Sequence, residues 1–125
     1  MIVGTGIDIA EVRRIRQSID RFGQRFLERI YTPGEMRYCD SKANRVERYA
    51  ARFAAKEAAM KALGTGWSRG VRWIDIEVSR RQGSRPMLEL KGEARKIADQ
   101  LGVKNIAMSI THTSKQAMAQ VIFET

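Results

Sequence analysis

The sequence has almost none of the residues that build disulfides or zinc clusters. Cys39 is its only cysteine and His112 its only histidine among 125 residues. No internal disulfide can form, and the pair argues against an all-Cys/His zinc site. No segment approaches the ~20 apolar residues of a membrane span, and no basic stretch precedes an apolar one at the N-terminus, so neither insertion nor secretion is expected. The expected compartment is a reducing cytoplasm.

Acidic residues are also scarce relative to basic ones. The 14 acids and 23 bases leave a net charge of +9, while 43% of the residues are hydrophobic. This balance predicts a folded basic domain with an acidic partner rather than a disordered tail. There is no internal repeat, low-complexity tract or Pro/Gly/Ser linker. Residues 1–125 are therefore expected to form a single domain around one core.

The first half of the chain predicts one strand and three helices. Alternation predicts a strand over residues 2–9, and apolar residues three and four apart predict an amphipathic helix over residues 12–30. Thr32-Pro-Gly-Glu35 resembles a capping box with proline at the first helical position, so a short helix should run from there to about Asp40. Residues 45–63 lack glycine and proline and predict the longest helix.

The second half is richer in strands. Strands are predicted over residues 73–78, 86–90, 105–113 and 116–123. A helix with apolar residues from Ala94 to Leu101 is expected to end at Gly102. The order β-ααα-ββ-α-ββ predicts an α+β fold in which a mostly antiparallel sheet packs against the long helix.

Two acidic side chains have both a structural and a metal-binding interpretation. Asp8 lies near the end of the first strand, where it could bind a ligand or favour the next helix N-terminus. Glu57 lies one helical turn from Phe53 and Met60, beside an apolar stripe, where a carboxylate needs a partner. That partner could be Lys61 in a surface pair, or a divalent ion shared with Asp8. Two hard carboxylates would favour Mg²⁺ with phosphate oxygens as further ligands.

Basic side chains on the long helix precede a short glycine loop. They are Arg45, Arg52, Lys56 and Lys61, and the loop is Gly64, Thr65 and Gly66. Cations beside free backbone donors suit a phosphate group, although each could also lie on a solvated helix face. The loop is too short for a P-loop or dinucleotide fingerprint. Since no nucleophile elbow occurs, acyl-enzyme chemistry has little support.

The single histidine is also open to two interpretations. His112 follows Ile106, Met108 and Ile110 on the same face of a predicted strand. A packed histidine is the default for such a position. It could instead donate to a phosphate, or serve as an acid or base.

The helix predicted over residues 12–30 is unusually rich in arginine. Its arginines are Arg13, Arg14, Arg16, Arg21, Arg25 and Arg29. Arg14, Arg21 and Arg25 follow helical spacing, with Phe22 and Phe26 nearby, as in a surface that docks an acidic partner helix. Nucleic-acid binding is the alternative, but no RNP-like motif, zinc-finger spacing or helix-turn-helix is found. Simple solubility would also explain the charges.

Five segments together carry a resemblance to a known family. They are Gly4-Thr-Gly-Ile-Asp-Ile9, Arg52-Phe-Ala-Ala-Lys-Glu-Ala58, Lys61-Ala-Leu-Gly-Thr-Gly66, Ile74-Asp-Ile-Glu-Val78 and Ser109-Ile-Thr-His112. In order and spacing they resemble the holo-(acyl-carrier-protein) synthases, the small bacterial class of 4′-phosphopantetheinyl transferases. The resemblance spans nearly the whole chain. It implies transfer of 4′-phosphopantetheine from coenzyme A to a serine of apo acyl carrier protein, releasing adenosine 3′,5′-bisphosphate, in support of fatty acid biosynthesis.

The resemblance also implies roles for particular residues. Asp8 and Glu57 match the acids that bind Mg²⁺ in the family, and with Lys61 they would form the catalytic group. Positions associated with coenzyme A binding are matched by Arg52, Lys61, Gly64, Thr65, Gly66 and His112. Arg14 matches a carrier-docking arginine, and Arg21 and Arg25 extend that assignment along the helix. The chain departs from the family pattern at Trp67-Ser-Arg69, after the glycine loop.

The resemblance leaves open which group accepts the serine proton, and it implies an assembly of several subunits. The serine proton could pass to Glu57 through a water, to a hydroxide on the metal or to Lys61. Chains of this length resemble one half of larger, pseudo-duplicated transferases, so one subunit should offer an incomplete coenzyme A cleft. A homotrimer is therefore expected, with Asp8 and Glu57 from one chain and part of the coenzyme A site, including His112, from its neighbour.

Overall fold

The computed structural model describes residues 1–66, 68–81 and 83–125. Its elements are β1 (Ile2–Glu11), α1 (Val12–Phe22), α2 (Gln24–Ile30), α3 (Pro33–Asp40), α4 (Arg45–Leu63), a 3₁₀ turn (Trp73–Asp75), β2 (Ile76–Ser79), β3 (Met87–Leu90), α5 (Gly92–Leu101), β4 (Asn105–His112) and β5 (Gln116–Glu124). The α+β class is confirmed. Trp67, where the sequence departs from the family pattern, lies outside the described residues.

The strands form two separate antiparallel sheets. One has the order β1-β5-β4, and the other is the hairpin of β2 and β3. In the larger sheet β5 is central, and its pairing with β1 sets Asp8 opposite Ala119 and Ala10 opposite Ala117. All strand pairs in the described part of the chain run antiparallel. None of the helices described is long and apolar enough to cross a membrane.

Small residues let α4 lie directly on β1. A Cβ atom at Gly6 would stand 1.8 Å from the carbonyl oxygen of Ala58, and one at Gly4 would stand 2.2 Å from that of Ala62. Only glycine permits so close an approach. These two contacts also show that β1 and α4 run in opposite directions. Since inward-facing residues alternate along a strand, the next one after Gly4 and Gly6 is Asp8.

The predicted helix over residues 12–30 is two helices. Gly23 separates α1 from α2 with φ +58° and ψ −135°, a conformation that favours glycine. Its N–H donates to the carbonyl of Ile19 at 2.7 Å, which closes α1. The predicted order therefore gains a helix and becomes β-αααα-ββ-α-ββ. The apolar spacing continues across the break, which is why periodicity alone did not reveal it.

The predicted strand over residues 73–78 is only half strand. Trp73–Asp75 form a 3₁₀ turn, and β2 begins at Ile76. The Asp75 carboxylate accepts hydrogen bonds from the N–H and the guanidinium of Arg72, both at 3.1 Å, and so closes the turn. An alternating sequence pattern cannot reveal that these side-chain hydrogen bonds favour a turn over a strand.

The expected ends of the other helices are confirmed. Thr32 and Glu35 form the predicted capping box, with Pro33 at the start of α3. The long helix ends at Gly64, which has a left-handed conformation with φ +77°. Gly102 ends α5 in the same way, with φ +78°.

One cation of the long helix lies in the core instead of on its surface. Lys56 and Glu35 both have 0% side-chain exposure, and the lysine Nζ lies 2.8 Å from Glu35 Oε1. Lys56 also donates to the backbone carbonyls of Trp73 and Ile76. Both the phosphate-binding and the solvated interpretation of Lys56 are therefore wrong, because this lysine joins α3, α4 and the start of β2.

Candidate functional site

The contact between β1 and α4 brings Asp8, Glu57 and Lys61 together. Lys61 Nζ donates to Asp8 Oδ1 at 3.1 Å and to the Ile7 carbonyl at 2.9 Å. The Asp8 side chain is 16% exposed and that of Lys61 is 52% exposed, so the pair lies at the edge of the core. The surface pair considered for Glu57 and Lys61 is not among the ion pairs of the described residues, because the lysine pairs with Asp8.

Glu57, the second carboxylate, forms no ion pair among the described residues. Burial raises the pKa of Glu57, the negative charge of Asp8 raises it further, and Lys61 acts in the opposite direction. Two carboxylates thus share one ammonium group in a half-buried place. A divalent cation would relieve both the burial and the repulsion. Within the described residues no group of three or more metal-ligating side chains occurs, so any ion here would rely on two carboxylates.

A cavity of about 370 Å³ connects these carboxylates to the arginine-rich helix. Its lining includes Asp8, Glu57, Arg14, Phe26 and Phe53. Asp8 and Glu57 therefore open toward the first of the predicted docking arginines.

The rest of that helix surface is open and mixed in character. A groove is lined by Phe22, Arg25, Phe26 and Arg29. The Phe22 ring is 55% exposed, and the Arg21 guanidinium lies 5.2 Å from its centroid. Exposed arginines around an exposed aromatic ring are a combination that suits an acidic, amphipathic partner.

Arg52 lies on a different side of α4 from Glu57. The two residues are five positions apart, which corresponds to about 140° of rotation around the helix. The Arg52 side chain is buried, and its guanidinium carbon lies 4.0 Å from the centroid of the Tyr38 ring. Its Nε is buried and has no hydrogen-bond partner in the described part of the chain. A buried donor without a partner is uncommon in a folded protein, so the described residues leave the hydrogen bonding of Arg52 incomplete.

A strongly cationic cavity of about 430 Å³ adjoins this arginine. Its lining residues are Tyr38, Ser41, Lys42, Arg48, Arg80, Arg81 and Gly83. Burial acts to raise the pKa of the Tyr38 hydroxyl, but the positive charges of Arg52, Arg48 and Arg80 outweigh it and lower that pKa. Sequence reasoning missed this cluster, since α3, α4 and the end of β2 each supply part of it. The basic dipeptide at residues 80–81 was the only local signal.

His112 is neither fully packed nor free. Its Nδ1 lies 3.1 Å from Oε1 of Glu47, and both side chains are 23% exposed. It is the last residue of β4 and lies on the same face of the strand as Ile106, Met108 and Ile110, as predicted. All four residues are half-buried. The acid that faces it comes from the first turn of α4.

The glycine loop does not offer the free backbone donors that the sequence suggested. The N–H of Gly64 donates to the Lys61 carbonyl, and those of Thr65 and Gly66 donate to the Met60 carbonyl, at 3.0 to 3.4 Å. These amides complete the C-terminus of α4. Any ligand contact of the loop must therefore use its shape, its side chain or its carbonyl groups.

Comparison with known proteins identifies the family. The family model of the 4′-phosphopantetheinyl transferase superfamily matches residues 4–121. A protein of Solibacter usitatus named holo-[acyl-carrier-protein] synthase is 62% identical over 124 residues, with 99% of each chain covered.

Solved structures give the same result. The holo-[acyl-carrier-protein] synthase of Neisseria meningitidis is 32% identical with a TM-score of 0.90 over 100% of both chains. The Helicobacter pylori enzyme of that name, in complex with coenzyme A, is 32% identical with a TM-score of 0.83 over 96% of this chain and 99% of the other. This chain belongs to the 4′-phosphopantetheinyl transferase superfamily.

Proposed function

We propose that this chain is a holo-(acyl-carrier-protein) synthase. It transfers the 4′-phosphopantetheine group of coenzyme A to a serine of apo acyl carrier protein and releases adenosine 3′,5′-bisphosphate, in support of fatty acid biosynthesis. The 62% identical relative carries that name, and a structural relative holds coenzyme A. The observation that carries the proposal is the cluster of Asp8, Glu57 and Lys61 in a cavity that also reaches Arg14. Residues 1–125 act as one transferase domain, in the cytoplasm.

Asp8 and Glu57 would hold a divalent cation, and Mg²⁺ is the proposed ion. The fit rests on two half-buried carboxylates, of which only Asp8 is paired with a lysine, and on the raised pKa of Glu57. Mg²⁺ commonly takes one or two protein carboxylates and keeps its other positions for water and substrate phosphates. When bound, it would neutralise negative charge on the pyrophosphate of coenzyme A.

Lys61 supplies the second positive charge. Its ammonium group already lies beside Asp8, so it is placed to donate to the pyrophosphate as charge develops there. The serine oxygen forms a bond to the phosphorus that carries pantetheine. The bond from that phosphorus to the bridging oxygen breaks, and adenosine 3′,5′-bisphosphate leaves with the electron pair. The serine proton passes to Glu57 through a water or to the solvent, and no enzyme nucleophile is needed.

The arginine-rich surface of α1 and α2 would bind the carrier. Arg14 adjoins the catalytic cavity, and Arg21 and Arg25 continue along the surface beside the exposed Phe22. An acidic carrier helix placed there would bring its serine toward Asp8 and Glu57. The nucleic-acid alternative finds no support among the relatives described, all of which are named as synthases.

The nucleotide end of coenzyme A would bind at Arg52, His112 and the glycine loop. The cations around Tyr38, with Arg52 against its ring, suit its phosphate groups. Because Arg52 and Glu57 lie on different sides of α4, one molecule would use Glu57 of one subunit and Arg52 and His112 of a neighbour. The exposed outer face of the larger sheet, where Ile7 and Ile9 are 54% and 52% exposed, offers a contact for that neighbour. We therefore propose a homotrimer.

The decisive experiment is incubation of the protein with coenzyme A, Mg²⁺ and apo carrier protein, followed by mass spectrometry of the carrier. A phosphopantetheine adduct on the carrier serine is expected, and it should be absent when a chelator replaces Mg²⁺. A folded protein that produces no adduct, yet binds nucleic acid with a steep salt dependence, would overturn the proposal in favour of the alternative.

The shared site has its own test. Asp8→Asn and His112→Ala subunits should each be inactive alone, and mixing them after dissociation should restore part of the activity. Mixed trimers would contain some interfaces with both functional halves. A fully active monomer in light scattering would contradict the trimer.

A further inference from the structure

An acid from α4 directly faces the only histidine of the chain. Glu47 lies in the first turn of α4 and His112 ends β4, 65 residues later. The 3.1 Å contact joins Oε1 of Glu47 to Nδ1 of His112. Since the two groups come from different elements, the contact is a product of the tertiary fold and not of local spacing.

The chemistry of the carboxylate fixes one proton on the ring. An ionised carboxylate only accepts hydrogen bonds, so Nδ1 must carry the hydrogen. In the neutral ring, Nε2 is then an acceptor and would repel a phosphate oxygen. In the doubly protonated ring, Nε2–H is a donor while Nδ1–H still bonds Glu47. An anion can therefore bind to Nε2 only together with a second proton on the ring.

No other charged group of the described residues lies within ion-pair distance of His112. On β5 the residue opposite the histidine is Ala117. The neighbouring cations of α4 are engaged elsewhere, with Arg45 on Asp40 and Arg48 on Asn44. In the β4–β5 turn, the nearest cation along the chain is Lys115, three residues after the histidine.

We propose that Glu47 is a positioning residue that holds the His112 ring with Nδ1–H turned inward and presents Nε2 to a phosphate group of coenzyme A. The inference rests on the proposed function, which gives His112 a contact with that substrate. Glu47 acts through the histidine and need not touch the substrate itself.

The single histidine makes the test direct. In protein labelled with ¹⁵N-histidine, one imidazole gives all the signals, and its two nitrogen shifts report which atom carries hydrogen. The neutral ring of the wild type should show the hydrogen on Nδ1. In Glu47→Gln the amide can donate to a bare Nδ1, so the hydrogen should move in part to Nε2. Glu93→Gln, which changes a first-turn acid of α5, is the matched control and should keep the wild-type pattern.

Calorimetry with adenosine 3′,5′-bisphosphate gives the second readout. The wild type and Glu93→Gln should bind it with the same affinity. Glu47→Gln should bind it about tenfold more weakly, the size of one charge-assisted hydrogen bond. Glu47→Asp, which keeps the charge, should restore part of the affinity and guards against a folding defect in the amide variant.

The outcomes separate this inference from the proposed function. An unchanged nitrogen pattern in Glu47→Gln, or equal affinity of Glu47→Gln and the wild type for the bisphosphate, would overturn the positioning role even where the carrier adduct forms. If the wild type forms no adduct and does not bind the bisphosphate, the proposed function fails instead, whatever the nitrogen pattern in the free protein shows.

Discussion

The long helix α4 carries two lysines that each meet an acid from another element, and the two pairs differ in almost every other respect. Lys56 and Glu35 are fully buried. Glu35 also accepts hydrogen bonds from the N–H groups of Thr32 and Val78, both at 2.8 Å. Every charge in that region has a protein partner. Such a region specifies how elements pack and leaves nothing for a ligand to satisfy.

The pair of Lys61 and Asp8 is the opposite case. It is half-open to solvent, and Glu57 adds a second carboxylate that the lysine does not contact. The charges do not balance within the protein. This contrast is why we propose only the second pair as a reaction site: it lies at the edge of the core, and the two carboxylates share one lysine. The following experiments test that distinction, beginning with the largest expected effect.

Removing one partner of the buried pair should cost the most stability. Lys56→Met leaves the Glu35 carboxylate buried without its cation, for which about 3–5 kcal/mol of unfolding free energy is typical. Denaturant unfolding followed by circular dichroism measures it. Lys61→Met is the matched control, and because that pair is partly exposed it should cost no more than about 1 kcal/mol.

If Lys56→Met does not fold, Glu35→Gln tests the same pair from the other side. It keeps the size of the side chain and removes the charge. Equal, small losses for the variants at Lys56 and Lys61 would contradict the assignment of one pair to structure and the other to function.

Asp8, Glu57 and Lys61 form the open region, and neutralising either of its acids should remove activity without unfolding the protein. Asp8→Asn and Glu57→Gln keep the shapes of the side chains, and loss of one charge-stabilising group in an active site reduces the rate by about 100-fold or more. Carrier modification by mass spectrometry and the far-ultraviolet circular dichroism spectrum are the two measurements. Near-normal turnover by either folded variant would sink the metal assignment.

The open region should also impose a pH dependence on stability. The pKa of Glu57 is raised in the folded protein, so between the ordinary glutamate pKa and the raised value the folded state binds more protons than the unfolded state. Stability therefore falls as pH rises through that window in metal-free protein. The fall should be smaller in Glu57→Gln, and added Mg²⁺ should reduce it in the wild type.

Thermal midpoints across pH 4–8, with and without chelator, measure this effect. Subtracting the Glu57→Gln curve from the wild-type curve removes the contributions of other groups. If the wild-type midpoint instead rises relative to that of Glu57→Gln as the pH increases, the folded protein stabilises Glu57 as a carboxylate and the residue needs no cation.

The sequence predicted best what local chemistry decides. The capping box at Thr32 and Glu35 and the helix end at Gly64 depend on a few adjacent residues, and both occur as expected. The break at Gly23 was missed because the apolar spacing of α1 continues into α2. The 3₁₀ turn closed by Asp75 was missed because its alternation matches that of a strand.

The site shows the same division. The sequence paired Asp8 with Glu57 because a divalent ion beside Glu57 would need a second carboxylate. The structure places both acids in the lining of one cavity. It could not tell that Lys56 points into the core, since its partner Glu35 lies on another helix. Nor could it find the contact of Glu47 with His112, which depends on how β4 packs against α4.

The smallest expected effect concerns how far the open region extends. Arg14 lines the same cavity as Asp8 and Glu57 but is highly exposed, and its ionic contact with Glu11 is long at 3.9 Å. Arg14→Glu should weaken carrier binding by roughly fivefold to tenfold and flatten its salt dependence, because an exposed charge contributes mainly through steering. Affinity for coenzyme A should not change. Arg95→Glu on α5 is the control for net charge and should leave carrier binding as in the wild type. If Arg14→Glu instead lowers affinity for coenzyme A and spares the carrier, this arginine belongs to the substrate cleft, and the carrier must approach from the Arg21 and Arg25 side alone.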